Sequence, residues 1–428
     1  MMRWRSGNGR PETRAGAWAG QRARGLRLFA LGVLLLLTLP GLMGFAAPHT
    51  ANDPGLLPGG PEAAPFTLSD LALLRSQPAP PAIGARSAIV WDATAGIELF
   101  SKAPDERIPP ASTTKTLTAL IGIDILKLDT KIIVDKRDIS LPEYEESTMQ
   151  LVTGDTLTFE DLLYGMLLVS GGDAARTTAR AAGTVLLAGA PGDPIARFMQ
   201  EMNARVAKMG LPNTHFINPH GDDAPGQYSS ARDLLRIADE ALKRPDFARI
   251  VETKTATRQT VDGQHIFALK NTNDLLFARA GVHGVKTGTT DGCGQCLITA
   301  QWGPGGRIIS VVLGATDRNA DTTTLLDWTN ASYRWFTLGQ GGDLAGLNAA
   351  LARWGVTFHD RRAIVLQAWE APSLRYRLLL ERGLGNPGEV RGEVVFTTTT
   401  REVLRLPVYA AERTAGPAPA TPPAPPTP

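Results

Sequence analysis

Five short apolar runs, two near the start of the folded body and three far downstream, constrain this chain more than any other feature. Ala88-Ile89-Val90-Trp91 and Ile97-Glu98-Leu99-Phe100 flank the turn-forming Asp92-Ala93-Thr94-Ala95-Gly96, the pattern of a hairpin. The later runs cover 284–288, 296–302 and 307–315, and Gly303-Pro304-Gly305-Gly306 joins the last two. The stretch between the two groups reads as largely helical. The five runs therefore predict one antiparallel sheet closed by both ends of a domain, with helices supplied by the middle of the chain.

Leu117, Leu120, Ile121, Ile125 and Leu128 recur at three- and four-residue spacing, which predicts a helix with one buried face. A second helix is expected from Thr158, with Asp161 completing a capping box, through Leu162, Leu163, Met166 and Leu167 to Val169. A last helix is expected from about Asp321 through Leu325, Trp328 and Trp335 to pack on the sheet. Alternating runs such as Leu374-Arg375-Tyr376-Arg377-Leu378 predict a small β domain within 359–410. Its arginines, among them Arg361, Arg362, Arg375, Arg377, Arg382 and Arg391, read as a solvated β surface in preference to a site for anionic polymers.

The N-terminus carries a different message. Seven arginines and one acid precede an apolar run from Leu28 to Leu39, the charge order of a secretory signal. Small residues at Gly44, Ala46 and Ala47 suit cleavage, while the stretch 28–47 is also long enough to cross a membrane core of about 30 Å as a helix. Cleaved signal and retained anchor both stay open. Without residues 1–47 the formal charge moves from +2 to −4, so the basic balance belongs to the leader and a nucleic-acid partner loses its support. The two cysteines, Cys293 and Cys296, then sit in an oxidising compartment, as a local disulfide or two inert thiols. His215 and His220 have no partners at metal-ligand spacing and read as structural; no metal or cofactor is expected.

Three short motifs carry chemistry. Pro109-Pro110-Ala111-Ser112-Thr113-Thr114-Lys115 leads into the first helix, and residues three apart share a face, so the Lys115 amine can reach the Ser112 hydroxyl. Serine needs a base, and lysine serves as one only when burial or nearby cations bring its pKa down from about 10.4. Lys286-Thr287-Gly288-Thr289 reads as an exposed strand edge, where Gly288 admits a substrate backbone and Lys286 attracts a carboxylate. Val169-Ser170-Gly171-Gly172-Asp173 places a hydroxyl where one helix stops and another starts, with Asp173 as cap of the new helix.

Ser112-Thr113-Thr114-Lys115, Ser170 and Lys286-Thr287-Gly288, separated by 58 and 116 residues, resemble the three motifs of penicillin-binding proteins and serine β-lactamases. The stretches 216–221, 228–234 and 270–276 bring the resemblance closest to the low-molecular-weight D-alanyl-D-alanine carboxypeptidases. The resemblance implies an α+β fold, with a β-lactamase/transpeptidase-like domain of a five-stranded antiparallel sheet and a helical cluster, followed by the small C-terminal β domain. It implies peptidoglycan stem peptides as substrates and β-lactams as covalent inhibitors, in a bacterial cell envelope outside the cytoplasm. Ser112 would form the acyl-enzyme, Lys115 would be its base and Ser170 would pass a proton to the leaving amine. Lys286, Thr287, Gly288 and Thr289 would bind substrate, and the backbone N–H groups of Ser112 and Thr289 would hold the oxyanion.

One position departs from the family pattern. The second motif is usually Ser-x-Asn, whose amide bridges the lysine and the substrate, and Gly172 stands in the place of that asparagine. Between Ser170 and Lys286 no Glu-x-x-x-Asn pattern occurs, which favours a carboxypeptidase over a β-lactamase. Crosslink-cleaving endopeptidase activity and a catalytically weak wall-binding relative stay open. The expected organisation is a signal peptide or anchor at 1–47, a Pro/Gly/Ala-rich linker at 48–82, a serine peptidase domain at 83–340, a linker and small β domain at 341–412, and a Pro/Ala tail at 413–428.

Overall fold

The computed structural model describes residues 56–59, 78–139, 146–338, 344, 346–360, 363–381 and 385–412. The expectations for 1–47, for most of 48–82, for the tail 413–428 and for Arg361, Arg362 and Arg382 lie outside the described residues.

The five apolar runs form one sheet. The strands are β1 (Ser87–Asp92), β2 (Ile97–Lys102), β3 (Val282–Thr290), β4 (Gly294–Gly303) and β5 (Gly306–Ala315), in the order β2-β1-β5-β4-β3. Every neighbouring pair is antiparallel. The two ends of the domain meet where β1 pairs with β5, with Trp91 opposite Ile309 and Ile89 opposite Val311. Successive side chains on a strand point to opposite faces, and both faces are buried. Ile89, Ile309, Val311 and Leu313 enter the core under the helices. Ala88, Val90, Ile308 and Val312 pack on the other side against Leu325 and Leu326.

The helical cluster comprises α1 (Lys115–Ile125), α2 (Phe159–Leu167), α3 (Gly172–Leu187), α4 (Pro194–Lys208), α5 (Ala231–Ala241) and α6 (Pro245–Glu252). Thr158 and Asp161 close the expected capping box at the start of α2, each serving the other's backbone N–H. The first helix stops at Ile125, short of the expected Leu128, because Leu126 turns to an extended conformation. Leu128 still packs against the main core.

The last helix of this domain, α7, spans Arg318–Ser332, and Trp335 is not in it as expected. Trp335 lies in β6 (Tyr333–Thr337), which pairs with β7 (Ala363–Gln367). An aromatic segment suits a pleated surface, and here it also has a strand partner. Three further strands, β8 (Arg375–Glu381), β9 (Val390–Thr397) and β10 (Glu402–Ala410), form an antiparallel set. Leu378, Leu380, Val394, Phe396, Leu406 and Val408 give these strands a core of their own. Arg375 donates to the carbonyls of Pro372 and Leu374, and Arg391 to that of Glu381.

Asp92 joins the sheet to this later segment. Its carboxylate accepts from the Thr94 and Ala95 N–H groups, which shapes the β1–β2 turn, and from Trp335 Nε1 at 2.7 Å. Asp92→Ala is expected to leave these donors unpaired and to cost about 2–4 kcal/mol, read as a lower urea midpoint with little change in m-value. Cys293 and Cys296 form a disulfide at the turn between β3 and β4, the first of the two alternatives open from sequence.

Candidate active site

Ser112 stands in a 3-10 turn, Ala111–Thr114, that runs directly into α1. Ala111 takes a left-handed φ of +48°, a conformation that costs a non-glycine residue about 1–3 kcal/mol. The turn gives the geometry that the three-residue spacing predicts: Lys115 Nζ lies 2.8 Å from Ser112 Oγ. The carbonyl of His220 accepts from the same amine at 2.5 Å, and Thr118 Oγ1 donates to the Pro219 carbonyl at 2.6 Å. The loop 218–222 is thereby fixed against the first turns of α1.

Lys115 is 1% exposed. Burial disfavours its charged form and brings its pKa from 10.5 down to about 8, against the raising effects of Glu146, Asp222 and Asp173 and with a further lowering by Arg176. Asp222 accepts from His220 Nε2 at 3.2 Å, and that contact holds its carboxyl below the usual range. Glu146, His220 and Asp222 offer donor atoms within 4.8 Å of one another, a grouping their spacing in the chain does not suggest. Both ends of that cluster are engaged, Glu146 with Arg176 and Asp222 with His220.

The Lys286-Thr287-Gly288 strand edge lies against the same turn. A Cβ at Gly288 would come 3.0 Å from Ala111 Cβ, 3.1 Å from Ser112 N and 3.2 Å from Thr113 N, so glycine lets β3 run this close to Ser112. Lys286 is also 1% exposed and donates to the Thr287 carbonyl at 3.0 Å. Burial pushes its pKa well down, with no carboxylate to oppose it and with Lys115 and Arg318 adding to the effect. Thr287 Oγ1 is 2.6 Å from Thr272 Oγ1, and Thr289 is exposed at the end of the strand.

Ser170 is buried at the junction of α2 and α3, with φ at +64°. Its hydroxyl makes no hydrogen bond with Ser112 or Lys115, whereas Ser112 and Lys115 are joined directly. Asp173 does not cap α3 as expected. The N-cap is Gly171; the Asp173 carboxylate, inside the first turn, accepts from the Ala174 N–H at 2.8 Å and reaches sideways to the N–H groups of Met149 and Leu151 at 2.9 and 3.0 Å. Gly172 N–H donates to the Ser147 carbonyl at 2.8 Å, completing a clasp between the segment 147–151 and the first turn of α3.

Sequence reasoning missed four contributors. Arg318, at the start of α7, donates to the Gly288 carbonyl and to Thr289 Oγ1 at 3.1 and 2.8 Å. Glu146, Arg176 and Asp222 surround Lys115 electrostatically. No local pattern marks any of them, since each reaches the site only through a tertiary contact.

Comparison with known proteins gives a consistent result. The peptidase S11 family profile, described as D-alanyl-D-alanine carboxypeptidase, matches residues 75–317. The D-alanyl-D-alanine carboxypeptidase of Streptomyces sp. (strain K15) is 34% identical over 261 residues, which is 58% of this chain and 88% of that one. DacC of Escherichia coli (strain K12), a D-alanyl-D-alanine carboxypeptidase, is 31% identical over 69% of this chain and 72% of its own length. The crystal structure of the Streptomyces K15 DD-transpeptidase superposes with a TM-score of 0.54 at 33% identity, covering 59% of this chain and 99% of that one. DacD from Francisella tularensis reaches a TM-score of 0.59 over 78% of this chain and 95% of its own, and at 23% identity it speaks for the fold alone. The chain therefore belongs to the D-alanyl-D-alanine carboxypeptidase family, peptidase S11.

Proposed function

We propose that this protein is a serine-type D-Ala-D-Ala carboxypeptidase that removes the terminal D-alanine of peptidoglycan stem peptides through an acyl-enzyme on Ser112. The observation that carries the reading is the 2.8 Å contact between Ser112 Oγ and a buried amine whose pKa lies at about 8. A neutral Lys115 takes the Ser112 proton as Oγ attacks the carbonyl of the penultimate D-alanine. The N–H groups of Ser112 and Thr289 stabilise the oxyanion, and each such donor contributes about 3 kcal/mol to lowering the barrier. Ser170 passes a proton to the leaving D-alanine, and water then hydrolyses the ester. Lys286, Thr287, Gly288 and Thr289 bind the substrate's carboxylate end, and Arg318 adds a guanidinium at that edge.

Labelled penicillin should form a long-lived adduct that mass spectrometry locates on Ser112, and a stem pentapeptide should release D-alanine. Prompt hydrolysis of the penicillin would favour a β-lactamase instead. The acylation rate should rise with pH through about 8 and then level off, because below that pH Lys115 holds a proton and cannot accept another. A rate that is flat between pH 6 and 9 would count against Lys115 as the base.

The substrate lies outside the cytoplasm, and the Cys293–Cys296 disulfide fits that compartment. Residues 1–47 are assigned as the export signal or anchor, and any membrane attachment is assigned to that segment. Among the described residues no helix is long and apolar enough to cross a membrane. The peptidase domain is assigned to 83–340 and the small β domain to 341–412, in line with the separate core of β8 to β10.

A further inference from the structure

We infer that Glu146 is a positioning residue of this active site, whose carboxylate occupies the space that a side chain at Gly172 would fill and from there controls the Lys115 amine. The inference rests on the proposed role of Lys115 as the base.

A Cβ at Gly172 would lie 1.3 Å from Glu146 Oε1, 2.1 Å from its carboxyl carbon and 2.8 Å from Oε2. No side chain at 172 can coexist with Glu146 in this position, so the two residues form one unit: the glycine is the socket and the carboxylate its occupant. The missing amide of the second motif is therefore not an empty place. A charged group from a separate segment stands in it.

Glu146 is held there. Its side chain is 6% exposed and forms a two-pronged ion pair with Arg176, at 3.1 Å from Nη1 and 2.9 Å from Nη2. Arg176 is itself fixed by a hydrogen bond from Nε to the Asp138 carbonyl at 2.9 Å. On the other side, Ser147, Met149 and Leu151 are clasped to the start of α3 by Gly172 N–H and the Asp173 carboxylate. Backbone on one side and guanidinium on the other leave the carboxylate little freedom, which is what a group that sets the geometry of a neighbour requires.

The chemistry follows from the charges that face Lys115. Glu146 comes from the segment before α2, Asp173 and Arg176 from α3, Asp222 and the His220 carbonyl from the loop 218–222, and Lys286 from β3. Among the charges on Lys115, Glu146 exerts the largest influence and Arg176 opposes it. A buried lysine with only cations around it, as Lys286 is, loses its proton affinity strongly. Glu146 keeps Lys115 from the same fate, so that the amine remains basic enough to take the Ser112 proton, while Arg176 limits the effect. An amide at 172 can donate to a substrate carbonyl and a carboxylate cannot. Glu146 thus serves the lysine side of the bridge only.

The experiment measures the second-order rate of Ser112 acylation by labelled penicillin from pH 5 to 10, on the full chain. Glu146→Gln keeps the shape and removes the charge, and its acid-limb midpoint should fall by about one to two pH units relative to wild type. Arg176→Met should move the midpoint upward, and Glu146→Asp should return it toward the wild-type position. Gly172→Asn alone should acylate at least tenfold more slowly, and Glu146→Ala/Gly172→Asn should recover most of that loss. A residue that merely supports the fold would lower the rate or the melting temperature without moving midpoints in opposite directions. Because Glu146→Gln is nearly isosteric, the test survives if Arg176→Met fails to fold. An adduct on wild-type Ser112 combined with an unmoved midpoint in Glu146→Gln overturns this inference alone. No adduct on wild-type Ser112 overturns the proposed function, and this inference with it.

Discussion

Ser112→Ala is expected to abolish the penicillin adduct and to reduce D-alanine release by roughly 10⁴- to 10⁶-fold, the range seen when the nucleophile of a serine enzyme is removed. The fold should survive the change. Ser112 is only partly buried, and the turn around it is held by backbone contacts that alanine retains, including the N–H of Lys115 to the carbonyls of Ser112 and Thr113. Lys115 loses its neighbour at 2.8 Å but keeps the His220 carbonyl. A melting temperature within a few degrees of wild type, together with no adduct by intact-mass spectrometry, is the expected pair of results. An adduct of undiminished yield would assign the nucleophile elsewhere.

Gly221→Ala should damage the site nearly as much, although Gly221 takes no part in the chemistry. Its φ of +104° lies in a region L side chains rarely adopt, and a Cβ there would sit 2.0 Å from the Ala111 carbonyl oxygen and 2.9 Å from Ser112 N. The obstacle is backbone, so no side-chain rotation relieves it. Something must move, and the candidates are the turn that carries Ser112 or the loop 218–222, whose His220 carbonyl holds Lys115. A displacement of about 1 Å in either is enough to slow acylation about 100-fold. The expected stability loss is about 2–4 kcal/mol, from overpacking together with the left-handed conformation. Gly210→Ala is the control, since Gly210 also has positive φ, +65°, but nothing lies within 4 Å of the added atom. Acylation that falls in Gly221→Ala and holds in Gly210→Ala would separate the collision from the backbone cost. Equal effects would show that the conformation alone is responsible.

Much of the fold was legible before any coordinates. The strands were readable because short apolar runs bounded by Gly, Pro and Asp leave few alternatives. The capping box at Thr158 was readable because both partners lie three residues apart. Reading failed where the signal was ambiguous or distant. Trp335 continued an apolar spacing that began in α7, and only its pairing with β7 turned that segment into a strand. Asp173 occupied a helix-start position, where a cap is the usual role; the N-cap is Gly171 instead, and besides the Ala174 N–H of the first turn the Asp173 carboxylate serves the distant N–H groups of Met149 and Leu151.

The candidate site divides in the same way. Ser112 and Lys115 were found because their contact is local, and Lys286-Thr287-Gly288 because a glycine beside a lysine on a strand edge is a recognisable pattern. Arg318 was missed because it reaches Gly288 and Thr289 from the far side of β4 and β5 in the chain. Gly172 was seen only as a missing amide, since one sequence cannot disclose that Glu146 fills the gap.

The sequence by itself determined the five strands of the main sheet, the starts of α1 and α2, the serine–lysine pair and the family pattern, because all of these are set by periodicity and short spacing along one stretch of chain. Only the tertiary structure decided what the two buried lysines are. Both are 1% exposed, yet Lys115 faces the carboxylates of Glu146, Asp222 and Asp173, while Lys286 faces Lys115 and Arg318. A lysine's basicity depends on how completely water is removed and on which charges stand within a few ångströms. Those charges come from segments far apart in the chain, and folding alone brings them together.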